Sequence, residues 1–295
     1  MSKQLSNPFE RPGQWYKAAL HTHSCGIDGG LPQEELAKRY GKLGFSVVVS
    51  TEHERTADVK GLTTKELLVL NGIELHPLYP GHPIRNHHAF GVHVPHGYPT
   101  SRAGQKELGA CLAQFVELGG AAVLGHPHGV NVDPALAGDA PLDAYELFNV
   151  HQESTGGGDR EAEWAKALDD GICVPAIAVD DMHFVEELGQ AWTMLRMKSL
   201  TPKAVVNAIR TGACYSSTGP EIKDFRVADG SVELTCSAAA TITFAGSKGK
   251  CDTRKASATG RITTHKIAAP DWAFVRAVVT DRKGRKAWTN PIALK

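Results

Sequence analysis

The chain has 295 residues, 42% hydrophobic and 22% charged, the balance of an ordinary soluble globular protein. Lysine plus arginine equals aspartate plus glutamate at 32 each, so no net charge draws it to nucleic acid or an anionic membrane. Met1–Glu10 lacks the apolar core of a secretory signal, no apolar run approaches the roughly 20 residues that span a bilayer, and the six cysteines show no C-x-x-C spacing. These features predict a cytoplasmic enzyme or binding protein with reduced cysteines. Histidine is the outlier: of 14, all but His265 lie at or before His183.

In chain order, Trp15–Leu20 reads as a short strand and runs into His21-Thr22-His23, with Asp28 five residues on. Alternation turns Thr22 away and aims His21 and His23 the same way, which suits one metal ion held by two imidazoles at about 2.0–2.1 Å, as zinc is. Two polar residues flanking a turn are the alternative reading of that stretch. Pro32–Leu43 has helical spacing, with proline in its first turn. Phe45–Ser50 is a buried strand ending in Thr51-Glu52-His53, and Leu67–Leu70 leads to Gly72-Ile73-Glu74. His87–Val92 follows a proline-rich loop, with His88 near the start of its strand. A helix is predicted over about residues 104–118, then strands Ala121–Leu124, ending in Gly125-His126-Pro127-His128, and Tyr145–Phe148, ending at Asn149. After the glycine-rich Thr155–Gly158 come a helix over Asp159–Asp170, a strand Val174–Val179 ending in Asp180-Asp181-Met182-His183, and a helix Pro202–Arg210.

Strands alternating with helices predict parallel β/α units, whose ligands bind at the carboxyl ends of the strands. His21, His53, Glu74, His126, Asn149, Asp181 and His183 all fall at or just past such ends. From about Glu221 the pattern changes to alternating apolar strands separated by glycine or Asp-Arg-Lys-Gly turns, the pattern of a small all-β sandwich for packing, dimerisation or substrate shaping.

The motifs H-T-H with Asp28, T-E-H, G-I-E, H-A-F-G, G-H-P-H and D-D-M-H, in that order, resemble the PHP (polymerase and histidinol phosphatase) family. Ala213–Pro220 (A-C-Y-S-S-T-G-P) and Ala287–Ile292 (A-W-T-N-P-I) resemble its two-domain branch that includes carbaryl-hydrolase-like proteins. The resemblance implies an α/β fold: a distorted seven-stranded β/α barrel over residues 1–217, followed by a β-sandwich over 218–295. It also implies two or three divalent ions, zinc, manganese or iron. His21, His23, Glu74 and Asp181 would hold one. Glu74 would bridge to a second, held also by His88 and His126. Asp28, His53 and His183 would hold a third. Glu74, Asp181 and His183 would carry the catalytic role. Glu52 stands where the family usually has aspartate, which bears on how His53 is oriented. The pair His87-His88 leaves the ligand ambiguous by one residue, and His88 is preferred because it precedes A-F-G. His76, His82, His87, His93, His96 and His151 are expected at the surface or behind the ligands.

A carboxylate bridging two cations about 3.5–4 Å apart lets both hold one water and lower its pKa from 15.7 towards about 7. The hydroxide would attack phosphorus or an acyl carbon, and Cys25 is a bystander. Arg55 and Arg160 are candidate phosphate clamps or solvated surface arginines, and His128 and Asn149 would hydrogen-bond a substrate or a metal ligand. The activity expected is a phosphoesterase for a small phosphate monoester or diester. Hydrolysis of a carbamate or carboxylic ester at the same centre is the alternative, and a non-catalytic metal- or ligand-binding protein the second. The expected partner is a small molecule, with no membrane, nucleic acid only as a small nucleotide, and self-association through the β unit.

Overall fold

The first strand, β1 (Gln14–Thr22), begins exposed and ends fully buried, following its change from Gln-Trp-Tyr-Lys to Ala-Ala-Leu-His-Thr. The structure, a computed structural model, describes residues 5–79, 82–98, 107–127 and 133–294. After β1 come α1 (Gln33–Lys42), β2 (Val47–Ser50), β3 (Leu68–Leu75), β4 (Leu78–Tyr79), β5 (His82–Val92), α2 (Leu108–Glu117) and β6 (Ala121–Pro127). They are followed by β7 (Ala144–Asn149), α3 (Val150–Glu153), α4 (Glu161–Asp169), β8 (Ala176–Val179), β9 (Trp192–Met197), α5 (Pro202–Thr211) and β10 (Cys214–Ser217). Among the described residues no helix is long and apolar enough to cross a membrane.

Hydrogen-bonded neighbours run β10-β9-β1-β2-β3-β5-β6-β7-β8. The trios β1-β2-β3 and β6-β7-β8 are parallel within themselves. β5 is antiparallel to both β3 and β6, which departs from the parallel units expected of the sequence. The cause is the connection. Antiparallel strands need no crossover helix, and the chain turns back from β3 through β4, which itself pairs with β5. β5 begins at His82, so His88 is the seventh of its eleven residues and not near its start as expected; the antiparallel course sets this stretch beside the end of β3, with Ala89 opposite Leu75, at the rim of the parallel strands.

The end of β1 and the residues just after β8, at the two ends of the run β1-β2-β3-β5-β6-β7-β8, touch at one point. Thr22 and Met182 form a single parallel bridge, His23 N–H donates to Met182 O (3.3 Å), and Asp181 N–H donates to His21 O (3.2 Å). Side chains tie β8 to β9 and β10: Thr193 Oγ1 accepts from Ala178 N–H (3.1 Å) and donates to Ala178 O (3.0 Å), and Ser216 Oγ donates to Ala176 O (3.1 Å). Among the described residues no strand ladder joins β1 to β8. Leu20, Val49, Leu70, Phe90, Val123, Ile177 and Val179 fill the interior, and α5 closes its far end with Val205, Ala208 and Ile209.

The remaining chain is all β: β11 (Ile222–Ala228), β12 (Ser231–Ala239), β13 (Thr241–Gly246), β14 (Cys251–Lys255), β15 (Ile262–Ala268), β16 (Phe274–Thr280), β17 (Lys286–Thr289) and β18 (Ile292–Ala293). β11-β12-β15 form a separate three-stranded sheet. It shares a core of Phe225, Leu234, Ile242, Phe244, Val275 and Ala277 with the other strands. β14-β13-β16-β17 continue the large sheet through β10, with Tyr215 opposite Thr289. Position 218 thus borders a hydrogen-bonded strand pair, where the sequence pattern shows only a change of composition.

Candidate metal centre

The site occupies the rim formed by the carboxyl ends of the parallel strands and the stretch of β5 around His88, which lies beside the end of β3. Simple alternation explains part of it. Leu68, Leu70, Val47, Val49, Ile177 and Val179 face the interior, so Glu74, His53 and Asp181 at even separation from them face it too. His21, His126 and Asn149 have the wrong parity for that rule. Each is brought inward by an irregular register: β1 carries an extra residue between Ala19 and Thr22, β6 between Leu124 and Pro127, and β7 between Glu146 and Phe148. A bulge inserts one residue and re-aims the side chains beyond it, as bulges near active sites do. Asp28 comes from the loop after His23, where a Cβ on Gly29 would stand 2.2 Å from His23 O and only glycine fits. Asp181 has φ 53, a left-handed conformation that non-glycine residues rarely adopt and that concentrates at functional sites.

Glu74 is the hub and is fully buried. Its Oε1 lies 2.6 Å from His88 Nδ1 and 3.4 Å from His126 Nε2. Its Oε2 lies 2.9 Å from His53 Nδ1 and 3.4 Å from both His21 Nε2 and His23 Nε2. Asp181 completes the inner set, with Oδ1 at 3.0 Å from His23 Nε2 and 3.3 Å from His21 Nε2, and Oδ2 at 3.1 Å from His126 Nε2. Further out, Asp28 Oδ2 lies 3.1 Å from His53 Nε2 and 3.5 Å from His183 Nε2. Ligand atoms converge in several groups, among them His21, His23 and Asp181; Glu74, His88 and His126; His23, Asp28, His53 and His183; His53, Glu74 and His76; and His21, His126 and Glu146. All nine residues assigned by the family resemblance lie in this cluster.

The donor set fits cations on an observation of its own. His21 Nε2, His23 Nε2, Glu74 Oε2 and Asp181 Oδ1 are buried and make no hydrogen bond, although they stand 3.0–3.4 Å apart. Buried polar atoms are rarely left unpaired, and lone pairs aimed at a common point suit a cation. The electrostatics agree. Burial opposes charge throughout, yet His21 and His88 hold the Glu74 carboxyl well below its usual range. Burial is likewise overcome at His23, which Asp181 and Glu74 raise to about 9, and at His126, which the same carboxylates raise to about 10. The carboxylates demand positive charge, which imidazolium or a divalent ion can supply.

The surroundings revise several sequence expectations. Glu52 does not orient His53: its Oε1 accepts from Ser24 N–H (2.9 Å), Ser24 Oγ (2.5 Å) and Ser50 Oγ (3.4 Å), tying down the loop that follows His23. Asn149, expected to hydrogen-bond a substrate or a metal ligand, bonds the candidate ligand Asp181: its amide donates to Asp181 Oδ2 (3.0 Å) and to Glu146 Oε1 (2.7 Å). Arg160 is buried behind β7, its backbone N–H bonded to Leu147 O and its charge beside Tyr145. Tyr145 and Leu147 pack outward against Trp164, so Arg160 is not brought to the cluster. Arg55 is exposed and donates to Gly26 O, beside the Asp28 loop. His128 lies outside the described residues. His88 faces Glu74, and His76 enters the site: its Nε2 is 2.8 Å from His53 Nδ1, and burial, with His88 and His53 beside it, lowers it to about 4. His151 Nδ1 pairs with Glu187 Oε1 (2.8 Å) while its ring stacks on His183 at 4.1 Å. Glu146, fully buried against His21, was not anticipated.

Residues 173–214, which carry Asp181 and His183, match the family model described as PHP-associated. Comparison with curated proteins gives no match. Among solved structures, the chain is similar to a two-domain protein from Bacteroides vulgatus ATCC 8482 containing a predicted PHP-like metal-dependent phosphoesterase, with a TM-score of 0.54, 14% identity and 95% of each chain covered. It is also similar to an amidohydrolase from Chromobacterium violaceum with bound sulfate and no metal, with 16% identity, a TM-score of 0.45, and 58% of this chain and 89% of that one covered. A third is PsfC from Pseudomonas syringae PB-5123, with 13% identity, a TM-score of 0.47, and 65% and 88% covered. The resemblance to PHP proteins drawn from motif order is thus joined by a PHP-associated segment and by a fold similar to that of a PHP-like protein over nearly the whole chain. The carbaryl-hydrolase-like branch is not singled out.

Proposed function

We propose that the protein is a metal-dependent hydrolase whose most favoured substrate is a small phosphate ester. The observation that carries this reading is the convergence of His21, His23, Glu74 and Asp181 on a buried point where their facing atoms make no hydrogen bonds. The inner residues would hold two ions sharing Glu74, and Asp28, His53 and His183 a third at the rim. Zinc, manganese and iron all accept this mixture of imidazole and carboxylate. Bound there, such ions would activate water and neutralise charge on the substrate.

The chain's own residues do the rest. Glu74 and Asp181 fix the spacing of the imidazoles. Glu52 and Gly29 hold the loop that delivers Asp28. Arg55, exposed beside that loop where it donates to Gly26 O, would take a phosphate oxygen by a charge-assisted hydrogen bond. Ester or carbamate hydrolysis is the second reading, and one feature favours it. Ile27 and Phe184, the neighbours of Asp28 and His183, and then Val185, are large apolar residues left exposed. A phosphate ester with an aromatic group, such as a nucleotide, would use both the arginine and this rim. The test is a screen of the metal-loaded protein against phosphate monoesters, phosphodiesters and neutral aryl esters or carbamates. Faster phosphoester turnover, inhibited competitively by inorganic phosphate, is expected. A neutral ester as the better substrate, with no inhibition by phosphate, would overturn the phosphoesterase assignment.

A further inference from the structure

We infer that Glu146 is a positioning residue that, together with Asn149, selects the tautomer in which His21 receives an ion and orients Asp181. The inference rests on the metal-centre reading above.

Glu146 is fully buried and both its oxygens are engaged. Oε2 lies 2.9 Å from His21 Nδ1. Oε1 accepts from His126 N–H at 3.1 Å and from the Asn149 amide at 2.7 Å. The amide's orientation is itself fixed. Asn149 Oδ1 accepts the Gln152 N–H at 3.0 Å as the N-cap of α3, so its nitrogen must face the two carboxylates. Its second N–H reaches Asp181 Oδ2 at 3.0 Å. One carboxylate therefore touches His21 directly, His126 through its backbone, and Asp181 through Asn149.

The consequence lies in the protons. A carboxylate only accepts, so His21 carries its hydrogen on Nδ1 towards Glu146. In the neutral ring that leaves a lone pair on Nε2, the atom facing Asp181 Oδ1 at 3.3 Å and Glu74 Oε2 at 3.4 Å. Without Glu146 those two carboxylates would favour the opposite tautomer, and a hydrogen on Nε2 would block the cation's place. Such partners behind a ligating histidine set its tautomer, and their loss typically weakens metal binding by roughly 10–100-fold.

Glu146→Gln isolates the effect because the isostere cannot satisfy all three donors. With its nitrogen in the Oε1 position it meets two N–H groups. With its nitrogen in the Oε2 position it meets His21 Nδ1 and forces the hydrogen onto Nε2.

The experiment uses the full chain. Zinc affinity is measured by competition with a chelator for the wild type and for E146Q, and ring-15N histidine NMR on the zinc-loaded forms reports the His21 tautomer, assigned with a His21→Asn variant. The inference predicts unchanged stoichiometry at saturating zinc, affinity for a buried ion lowered by about 10–100-fold in E146Q, and loss of the Nδ1–H form of His21. Asn149→Ala, which keeps the carboxylate, should weaken binding while retaining the Nδ1–H form, and it decides the matter if E146Q fails to fold. Equal affinity and an unchanged tautomer in E146Q would overturn the inference alone. Outright loss of one ion with the tautomer intact would make Glu146 a ligand and also overturn it. A wild type that binds no zinc would overturn the metal-centre reading, and the inference with it.

Discussion

Glu161 is the first residue of α4 and joins that helix to the C-terminal strands. Its Oε1 meets Arg276 Nη1 at 2.8 Å, and its Oε2 accepts from Trp288 Nε1 at 3.0 Å. The Arg276 side chain is only 6% exposed and that of Glu161 23%. Arg276 also lies over the Trp164 ring at 5.1 Å. Replacing Glu161 with alanine leaves a buried guanidinium and an indole N–H without their acceptor. Breaking a buried pair from one side costs about 3–5 kcal/mol, and the partial exposure of Glu161 brings this case just below that range, to roughly 2–3 kcal/mol. E161Q, which keeps an acceptor but loses the charge, should fall between, and replacing both partners by methionine should recover much of the loss. The assay is urea unfolding followed together by tryptophan fluorescence and circular dichroism. Burial raises the Glu161 pKa, but Arg276 and Trp288 outweigh it and the net shift is downward. A depressed carboxyl contributes stability above its unfolded pKa of about 4.3 and loses it as pH falls through the folded value. The gap between wild type and E161A should therefore be full at neutral pH and shrink in acid below about pH 4. A loss under about 0.5 kcal/mol, the usual range for a bland surface site, would refute the reasoning.

Arg55→Ala should lower kcat/KM for phosphoesters by tenfold or more, since one charge-assisted contact is worth roughly 1.5–3 kcal/mol, and should leave neutral aryl esters untouched. Graded chelation should remove a rim ion before the buried ones, because the Asp28 side chain is 40% exposed and that of Glu74 is fully buried; elemental analysis of partly stripped protein, with metal loss in a single step as the contrary result, checks this. Glu74→Gln keeps the shape of the hub but removes its charge, and should abolish nearly all turnover and lower metal content; full activity in that variant would show that Glu74 is no bridge.

The sequence was informative wherever period 2 holds. His53, Glu74 and Asp181 stand at even spacing from apolar strand positions, and the His21-x-His23 pair keeps its mutual parity across the bulge. Bulges hid the rest. Glu146 sits in Ala-Tyr-Glu-Leu-Phe-Asn, where alternation makes it either a lone buried acid or a register error. Its pairing with Asn149, three residues on, becomes legible only once the extra residue in β7 is known. A buried glutamate between Tyr145 and Leu147 was the available signal. Arg160 misled because it follows a glycine-rich loop, yet the chain has by then passed to the outer layer, where α4 packs. His76 looked like a loop residue because β3 extends to Leu75, well beyond the apolar run that announced it. The antiparallel course of β5 and the joining of β10 to β17 are long-range pairings that no local pattern encodes.

Metal content per chain tests the central claim most directly. Protein purified without chelator, reconstituted with zinc, manganese or iron and freed of excess ion, should contain at least two ions per chain, and Glu74→Gln should contain fewer. None or one in the reconstituted wild type would contradict a multinuclear centre built on Glu74.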